Sequence, residues 1–330
     1  MMMQLPNQSH HSNVPVDIRL SSDSLFTKTA PLSDVTDCCA PGATARDKMI
    51  RLTPRVALRV ISFEPPTPSS HPPVVFVAGW ISLIRGWKNV LREMTKDLTV
   101  HYVETREKIS SFVNGRAGFG VEEIGSDIVL LVEQMELNDY ILFGSSLGAT
   151  AIIDCYRSFK RKPVGLVLIA PNAVFRVPRS WKIVVTLFYT PLYALIRPSV
   201  KWYLRTFRLN LKADVAQYEK YCEALDAADP RKLKKAVMSV WSYEVWDRLR
   251  SIDCPVLIVN ALQDKLHEPE NLRRIAAGIA NAVEVDLGTN SRTHDKPVVD
   301  ALRTFLQDIP TLRVGKRSTE TIRQSPTKRA

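Results

Sequence analysis

The stretch Tyr140-Ile141-Leu142-Phe143-Gly144-Ser145-Ser146-Leu147-Gly148-Ala149 decides how the rest of this 330-residue sequence is interpreted. Its apolar first half is typical of a buried strand, and a helical pattern follows it. Between them lies the spacing Gly-x-Ser-x-Gly, which puts a serine on a strained strand-to-helix turn whose neighbours must lack bulk. We therefore predict Ser146 as a nucleophile in an elbow formed with Gly144 and Gly148. A Gly/Ser turn selected only for tightness is the alternative.

Short apolar runs alternate with helical patterns along most of the chain. Continuous apolar strands are typically buried on both faces, and their alternation with helices indicates a parallel arrangement. We therefore predict an α/β fold with a mostly parallel sheet and helices on both faces, and functional groups at the C-terminal ends of the strands. The predicted strands are 56–62, 73–78, 99–103, 140–143, 164–170, 255–259 and 283–285, and the predicted helices are 87–98, 121–135, 147–160, 270–279 and 297–306.

The positions of the six histidines single out a candidate base. A serine nucleophile needs a base, usually histidine, and the base needs an orienting carboxylate. His294 follows the last predicted strand and precedes a helix, so we expect it at the C-terminal edge of the sheet. His267 is the second candidate, and a solvated loop residue is the alternative for His294. The remaining histidines lie in a leader, before a strand or inside one: His10, His11, His71 and His101.

The carboxylate partner is expected just past another strand end. Asp264 follows the strand 255–259 on the same predicted edge, which gives the chain order Ser146, Asp264, His294. A loop aspartate that caps the next helix is the alternative. Asp253 precedes that strand, at the wrong end, and Glu268 is a further weaker candidate.

Two ends and one internal segment depart from the alternating pattern. Residues 1–50 are polar without a period and predict a flexible leader, and residues 311–330 predict a basic flexible tail. Residues 175–250 are rich in aromatic residues and contain no strand-like run. We interpret 175–250 as a helical cap inserted into a core formed by 51–174 and 251–310.

The charge of the chain is concentrated in two of these segments. The net charge is +11, and residues 175–250 contribute +8 while residues 311–330 contribute +5. A basic excess indicates an anionic partner, but no recognition motif accompanies it, so we expect no nucleic acid partner. The apolar stretch 183–196 is too short to span a bilayer. It is flanked by basic residues and could lie in a membrane interface; a cap helix that covers a pocket is the alternative.

Cysteine usage and the N-terminus indicate a compartment. The five cysteines are odd in number and show no paired spacing, which is typical of a reduced compartment. The first twenty residues lack an apolar run, so we expect no secretory signal. We expect a cytoplasmic protein that is peripheral at a membrane if the cap contacts one. We expect no metal, because His and Cys do not cluster.

These features together resemble the α/β-hydrolase superfamily over about residues 54–310. The resemblance rests on the motif around Ser146, on the order Ser146, Asp264, His294, and on the strand that ends at Gly79. It implies a serine esterase or lipase-like enzyme with an inserted cap. It also implies an oxyanion hole formed by the backbone N–H groups of Trp80 and Leu147.

Two short stretches depart from the pattern of that superfamily. Many members have a His-Gly pair before the second oxyanion amide, where this chain has Ala78-Gly79. Because the donor is a backbone amide, the oxyanion hole can survive that change. Many members also have Asp-x-Arg-Gly where this chain has Glu104-Thr105-Arg106-Glu107.

The resemblance implies acyl transfer to water. Ser146 would attack an ester-type carbonyl, His294 would take and return the proton, and Asp264 would hold the imidazole. We expect a small-molecule acyl ester or lipid-like substrate and no metal or organic cofactor. An acyltransferase or thioesterase with the same triad is one alternative, and a non-catalytic binding protein on the same scaffold is another.

Overall fold

The computed structural model describes residues 33–175, 183, 185–209, 211, 214–264 and 268–323. Within them the chain forms one nine-stranded mixed sheet with helices on both faces. The strands are β1 (Thr44–Thr53), β2 (Val56–Glu64), β3 (Val74–Val77), β4 (Val100–Glu104), β5 (Phe112–Val113), β6 (Ile141–Ser145), β7 (Gly165–Ile169), β8 (Val256–Asn260) and β9 (Ala282–Asp286). The helices are α1 (Ser33–Thr36), α2 (Lys88–Met94), α3 (Val121–Gln134), α4 (Leu147–Cys155), α5 (Tyr193–Tyr203), α6 (Val215–Ala227), α7 (Pro230–Val240), α8 (Pro269–Gly278), α9 (Asn290–Thr293) and α10 (Lys296–Arg323).

The order of the strands places the serine motif in the middle of the sheet. The order is β1-β2-β4-β3-β6-β7-β8-β9, with β5 paired only to β2. The six strands from β4 to β9 in this order are parallel, and β2 pairs antiparallel with β1 and β4. This confirms the predicted α/β fold with a mostly parallel sheet. In the register Val77 lies opposite Gly144, and Ser145 lies opposite Ile169, so the segments that leave β3, β6 and β7 are neighbours.

The apolar strands are buried because helices cover both faces of the sheet. Every residue of β3, β6, β7 and β8 is buried. The core on one face includes residues of α3, α4 and α8, and the core on the other face includes residues of α2 and α10. Strands with helices on both faces have no polar side to keep in water, which explains their continuous apolar runs.

The ends of the chain differ from the sequence prediction. The predicted leader 1–50 includes α1 and most of β1, and helix α10 continues to Arg323 through part of the predicted tail. Strand β1 is an edge strand in which only Ala45 is buried, so its sequence Thr-Ala-Arg-Asp-Lys-Met-Ile-Arg-Leu-Thr is polar enough to resemble a loop. The remainder of the leader, 1–32, and residues 324–330 lie outside the described residues.

The segment predicted as a cap lies between β7 and β8. Its described residues contain α5, α6, α7 and a π-helical turn at Leu204–Arg208, and an isolated bridge joins Val174 to Glu244. We call residues 175–250 the cap and the rest of the described chain the core. A search of the described helices finds none that is long and apolar enough to cross a membrane.

Candidate active site

Ser146 occupies the turn between β6 and α4. Its backbone has φ of 49° and ψ of −114°, in the left-handed region that L-residues with a side chain rarely adopt. Its N–H donates to the carbonyl of Ile169 at 2.8 Å, which ties the turn to the end of β7. A strained residue held by its surroundings at the end of a central strand is typical of a functional position.

Close backbone contacts explain the two glycines of the elbow. A Cβ on Gly144 would lie 2.7 Å from Ala149 Cα, and a Cβ on Gly148 would lie 2.3 Å from the carbonyl oxygen of Val77. Both distances are shorter than atoms can approach, so only glycine fits either position. The spacing Gly-x-Ser-x-Gly therefore reflects the packing of α4 against β6 and β3.

Asn172 is a site residue that the sequence analysis missed. Its Nδ2 donates to Ser146 Oγ at 3.0 Å. Its own backbone is fixed by Thr150, whose hydroxyl donates to Asn172 O at 2.8 Å and accepts from Asn172 N–H at 3.1 Å. Asn172 follows β7 at the same edge of the sheet as Ser146, which is the one sequence signal that could have indicated it.

His294 lies directly after α9 on the loop that follows β9. Its Nδ1 is 3.0 Å from Asn290 O and 3.0 Å from Thr293 Oγ1, and its ring stacks on Trp87 with centroids 3.9 Å apart. A proton on Nδ1 can be donated to the Asn290 carbonyl, which leaves Nε2 as the basic nitrogen. The stacking contact and the hydrogen bond both fix the orientation of the ring.

Asp264 is buried just beyond β8, and Asn290 connects it to the histidine loop. Asn290 Nδ2 donates to Asp264 Oδ2 at 3.3 Å, while the carbonyl of the same residue faces His294 Nδ1. The structure therefore brings Asp264 and His294 together around Asn290. Ser146 accepts from Asn172 Nδ2 at its Oγ and donates its N–H to Ile169 O, and Asn172 and Ile169 both lie at the C-terminal end of β7.

Of the residues proposed for the oxyanion hole, Leu147 directly follows Ser146, and Trp80 directly follows Gly79. Leu147 is the first residue of α4, where helix N–H groups lack intrahelical acceptors. Gly79 packs against the elbow, since a Cβ built on it would lie 3.4 Å from Ser146 Cβ. The carbonyl of Gly79 accepts a hydrogen bond from Lys108 Nζ. That carbonyl belongs to the same peptide group as the N–H of Trp80.

The stretch that departs from the superfamily pattern carries buried charges. Arg106 donates to both carboxylate oxygens of Asp127, at 2.7 and 2.6 Å. Glu107 and Lys108 are an ion pair at 2.9 Å, and both side chains are buried. Burial raises the pKa of the neighbouring Glu104, against the opposing effect of Arg59. The stretch after β4 thus contributes a lysine to the edge of the sheet near Ser146.

The cap contacts the histidine loop through two side chains. Asp214, the N-cap of α6, accepts hydrogen bonds from Ser291 N at 2.7 Å and from Ser291 Oγ at 2.6 Å. Lys220 of α6 donates to Asn290 Oδ1 at 2.8 Å. Desolvation lowers the pKa of Lys220 to about 7, although Asp214 and Asp264 oppose that shift. The position of the cap is therefore coupled to the loop that carries His294.

The weaker candidates of the sequence analysis have other partners. Asp253 accepts from Tyr156 Oη at 2.5 Å and from Lys162 Nζ at 2.9 Å, at the opposite end of β8 from Asp264. Glu268 accepts from Asn271 Nδ2 at 2.7 Å. His101 belongs to β4, and its Nδ1 lies 2.9 Å from Ser62 Oγ on β2. Burial lowers the pKa of His101. His267 lies outside the described residues. In the part of the chain that the structure describes, no group of His, Cys, Asp and Glu side chains could hold a metal ion.

Comparisons with known proteins agree with this topology. No family model matches the chain, and no curated protein matches it either. Among solved structures, an esterase from Thermogutta terrifontis is similar at 17% identity, covering 80% of this chain and 98% of its own, with a TM-score of 0.65. An esterase from Rhodococcus sp. ECU1013 is similar at 16% identity, covering 80% and 99%, with a TM-score of 0.65. An enol-lactonase from Burkholderia xenovorans LB400 is similar at 14% identity, covering 78% and 97%, with a TM-score of 0.63. The sheet order and these similarities show that the chain has the α/β-hydrolase fold, as the sequence resemblance implied.

Proposed function

We propose that this protein is a serine hydrolase that cleaves an ester-type bond of an apolar acyl substrate. The observation that carries the proposal is the strained backbone of Ser146, at φ 49°, between a central strand and a helix. A strained serine whose hydroxyl receives a hydrogen bond has a use in nucleophilic catalysis and no structural use that glycine would not serve better.

The reaction would proceed through an acyl-enzyme. Ser146 Oγ attacks the carbonyl carbon while His294 Nε2 takes the hydroxyl proton, and the same proton then goes to the leaving alcohol. Water repeats the sequence and releases the acid. Asp264, buried beside Asn290, stabilises the positive charge of the imidazole during each transfer.

Backbone amides would stabilise the tetrahedral intermediate. The N–H groups of Trp80 and Leu147 are the donors, and the second gains from its place at the start of α4. Asn172 donates to Ser146 Oγ and so holds the hydroxyl in one orientation before attack. Each donor to the oxyanion hole is worth about 10²–10³ in rate.

The substrate class is inferred from the cap. Cap residues 183–207 contain many apolar and aromatic side chains, which favours an acyl chain over a sugar or phosphate. The same groups would serve an acyltransferase or a thioesterase, which differ only in the acceptor or the leaving atom. The Thermogutta and Rhodococcus esterases support an ester as the first substrate to test.

The test uses p-nitrophenyl esters of increasing chain length together with a fluorophosphonate probe. We expect the wild-type protein to turn over and to be labelled, and Ser146→Ala to lose labelling and about 10⁶-fold in kcat. Ser145→Ala removes the adjacent hydroxyl of the same motif and is the matched control, which should still be labelled. If the wild type and Ser146→Ala are equally inert, the fold serves as a binding scaffold and the proposal fails.

A further inference from the structure

Exposed apolar side chains are concentrated on one part of the cap. Eight of the thirteen large hydrophobic side chains that are exposed in the described residues lie between positions 183 and 207. Leu187 and Leu195 are 78% and 75% exposed. Soluble proteins usually scatter such residues singly, and a concentration of them marks an interaction site. We call these eight the cap apolar surface: Ile183, Leu187, Tyr189, Leu192, Leu195, Ile196, Trp202 and Phe207.

The charged residues of the segment that carries the cap apolar surface are all basic. Residues 183–209 contain four basic residues and no acidic residue. Arg205 and Arg208 are exposed in the same turn as Phe207, whose ring meets Trp202 with centroids 5.6 Å apart. Arg197 and Lys201 reach back to Asp226 of α6, at 3.1 and 2.7 Å, which orients α5 on the cap.

We propose that the cap apolar surface docks on an anionic lipid bilayer. Aromatic side chains with an apolar body and basic side chains with long stems are the groups that prefer the membrane–water interface. Each basic residue near an anionic surface adds about fivefold to the affinity. The proposal does not depend on the hydrolase activity. Docking would, however, bring the cap to a surface where apolar esters are concentrated.

Vesicle sedimentation tests this docking. We expect the full-length protein to bind vesicles of phosphatidylcholine mixed with phosphatidylserine, and to bind vesicles of phosphatidylcholine alone at least about tenfold more weakly. The double variant Trp202→Ala/Phe207→Ala should lose at least about tenfold in affinity for the anionic vesicles. The matched control Ile109→Ala/Val283→Ala removes two apolar side chains that are 64% and 50% exposed elsewhere, and should bind like the wild type.

Three outcomes would overturn the docking proposal. The first is equal binding of the double variant and the wild type, and the second is the absence of vesicle binding by the wild type. The third is a lipid-free dimer that the double variant abolishes, because the surface would then belong to a second copy of the chain. Ser146→Ala should bind vesicles normally, so failure of the hydrolase proposal would be distinguishable.

A separate observation concerns Lys108 and rests on the proposed function. Its side chain is 4% exposed, and its ammonium group lies between Glu107 and the carbonyl of Gly79. In a trans peptide group the carbonyl and the N–H point in opposite directions. The bond from Lys108, together with one from the Ser82 N–H at 3.2 Å, therefore fixes the direction in which the Trp80 N–H points, and the positive charge of Lys108 polarises the same peptide group.

We infer that Lys108 is a positioning residue for the oxyanion hole. It touches neither the substrate nor Ser146, but it acts through the peptide group that packs beside Ser146. This gives a function to the stretch after β4 that departs from the superfamily pattern. A lysine buried here is costly unless it is paired, and Glu107 provides the pairing at 2.9 Å.

The test removes Lys108 without leaving a buried carboxylate alone. The double variant Glu107→Gln/Lys108→Met is compared with Glu107→Gln, which keeps the bond to Gly79. We expect the double variant to lose about 10²-fold in kcat with little change in KM, because an oxyanion donor acts in the transition state. Fluorophosphonate labelling should slow with kcat, since the probe reacts at the same centre.

A structural role alone would give a different result. Lys232→Met is the control, because Lys232 also binds the loop, through the carbonyls of Lys108 and Ser111, at 2.5 Å each. We expect it to lower the stability while kcat stays close to the wild-type value. Equal kcat in Glu107→Gln and in the double variant, with Ser146 still labelled, would overturn the role of Lys108 and leave the hydrolase proposal intact. If either variant fails to fold, Lys108→Gln is compared with the wild type instead. Slower fluorophosphonate labelling of Lys108→Gln would support the role of Lys108, and labelling at the wild-type rate would overturn it.

Discussion

The core and the cap both pair arginine with aspartate, but in different surroundings. In the core, Arg106 and Asp127 are joined by two hydrogen bonds, and their side chains are 7% and 2% exposed. In the cap, Arg197 and Asp226 lie 3.1 Å apart with side chains 33% and 46% exposed. A pair in water can lose a partner with little effect, whereas a buried pair cannot.

The use of glycine shows the same contrast. The core places Gly144 and Gly148 where no further atom fits, while residues 175–250 contain no glycine at all. Close approach of backbones fixes the elbow in the core. In the cap, apolar side chains such as Leu195 extend into solvent and leave room for change. The elbow is therefore fixed by close packing in the core, while exposed positions of the cap such as Leu195 tolerate changes of side chain.

Removing one partner from each ion pair should give the largest difference between the two regions. Asp127→Asn leaves Arg106 buried without its counter-ion, and we expect a loss of about 3–5 kcal/mol in the free energy of unfolding. Asp226→Asn should cost less than about 1 kcal/mol, because Arg197 and Lys201 can turn to solvent. Urea unfolding of both variants measures the difference. Equal losses would show that the core pair is not isolated from water.

Adding one methyl group at the elbow should be the next largest effect. Gly148→Ala places a Cβ 2.3 Å from the carbonyl of Val77, and overpacking of this kind costs about 1–3 kcal/mol. Since α4 must shift to relieve it, we also expect the proposed hydrolase activity to be lost. Ala194→Leu adds a larger group at an exposed position of α5 and should change the stability by no more than about 0.5 kcal/mol. Thermal unfolding and p-nitrophenyl ester hydrolysis check both variants.

Where the two regions meet, stability should depend on pH through Lys220. Its pKa is about 7 in the folded protein and about 10.4 in an unfolded chain. Between these values the unfolded state binds more protons, so the free energy of unfolding contributed by Lys220 rises with pH and is lowest below pH 7. We expect the wild type to gain about 2 kcal/mol relative to Lys220→Met between pH 7 and 9. Urea unfolding at four pH values between 6 and 9 measures the free energy of unfolding of both proteins. Parallel plots of that free energy against pH would contradict the prediction.

The candidate residues that follow from a local rule could be named from the sequence. The elbow follows from the steric demand at Gly144 and Gly148, and His294 and Asp264 follow from their positions after predicted strands. Each of these inferences needs only the order of elements along the chain. Because parallel strands end at one edge of a sheet, sequence order was enough to place the three candidates there.

Residues that act through tertiary contacts were not predictable. Asn172 is one polar loop residue among many until Thr150 and Ser146 are brought beside it by the pairing of β6 with β7. Lys108 looks like a surface lysine until the loop after β4 folds over Gly79. Strand β1 was missed because only Ala45 of this edge strand is buried, and charged residues lie among its apolar ones.

The smallest expected effects come from two helix-capping residues of the cap. Comparing them tests whether the cap is attached to the loop that carries His294. Asp229 caps α7 by accepting from Arg231 N at 2.8 Å, so Asp229→Ala should cost about 1 kcal/mol and leave kcat unchanged. Asp214 caps α6 at 2.9 Å and also holds Ser291 through two bonds. Asp214→Ala should therefore cost as much stability and, in addition, lower kcat/KM, because the loop that carries His294 loses an anchor. If kcat/KM is equal in the two variants, the cap is not coupled to the loop that carries His294, and the two regions act independently.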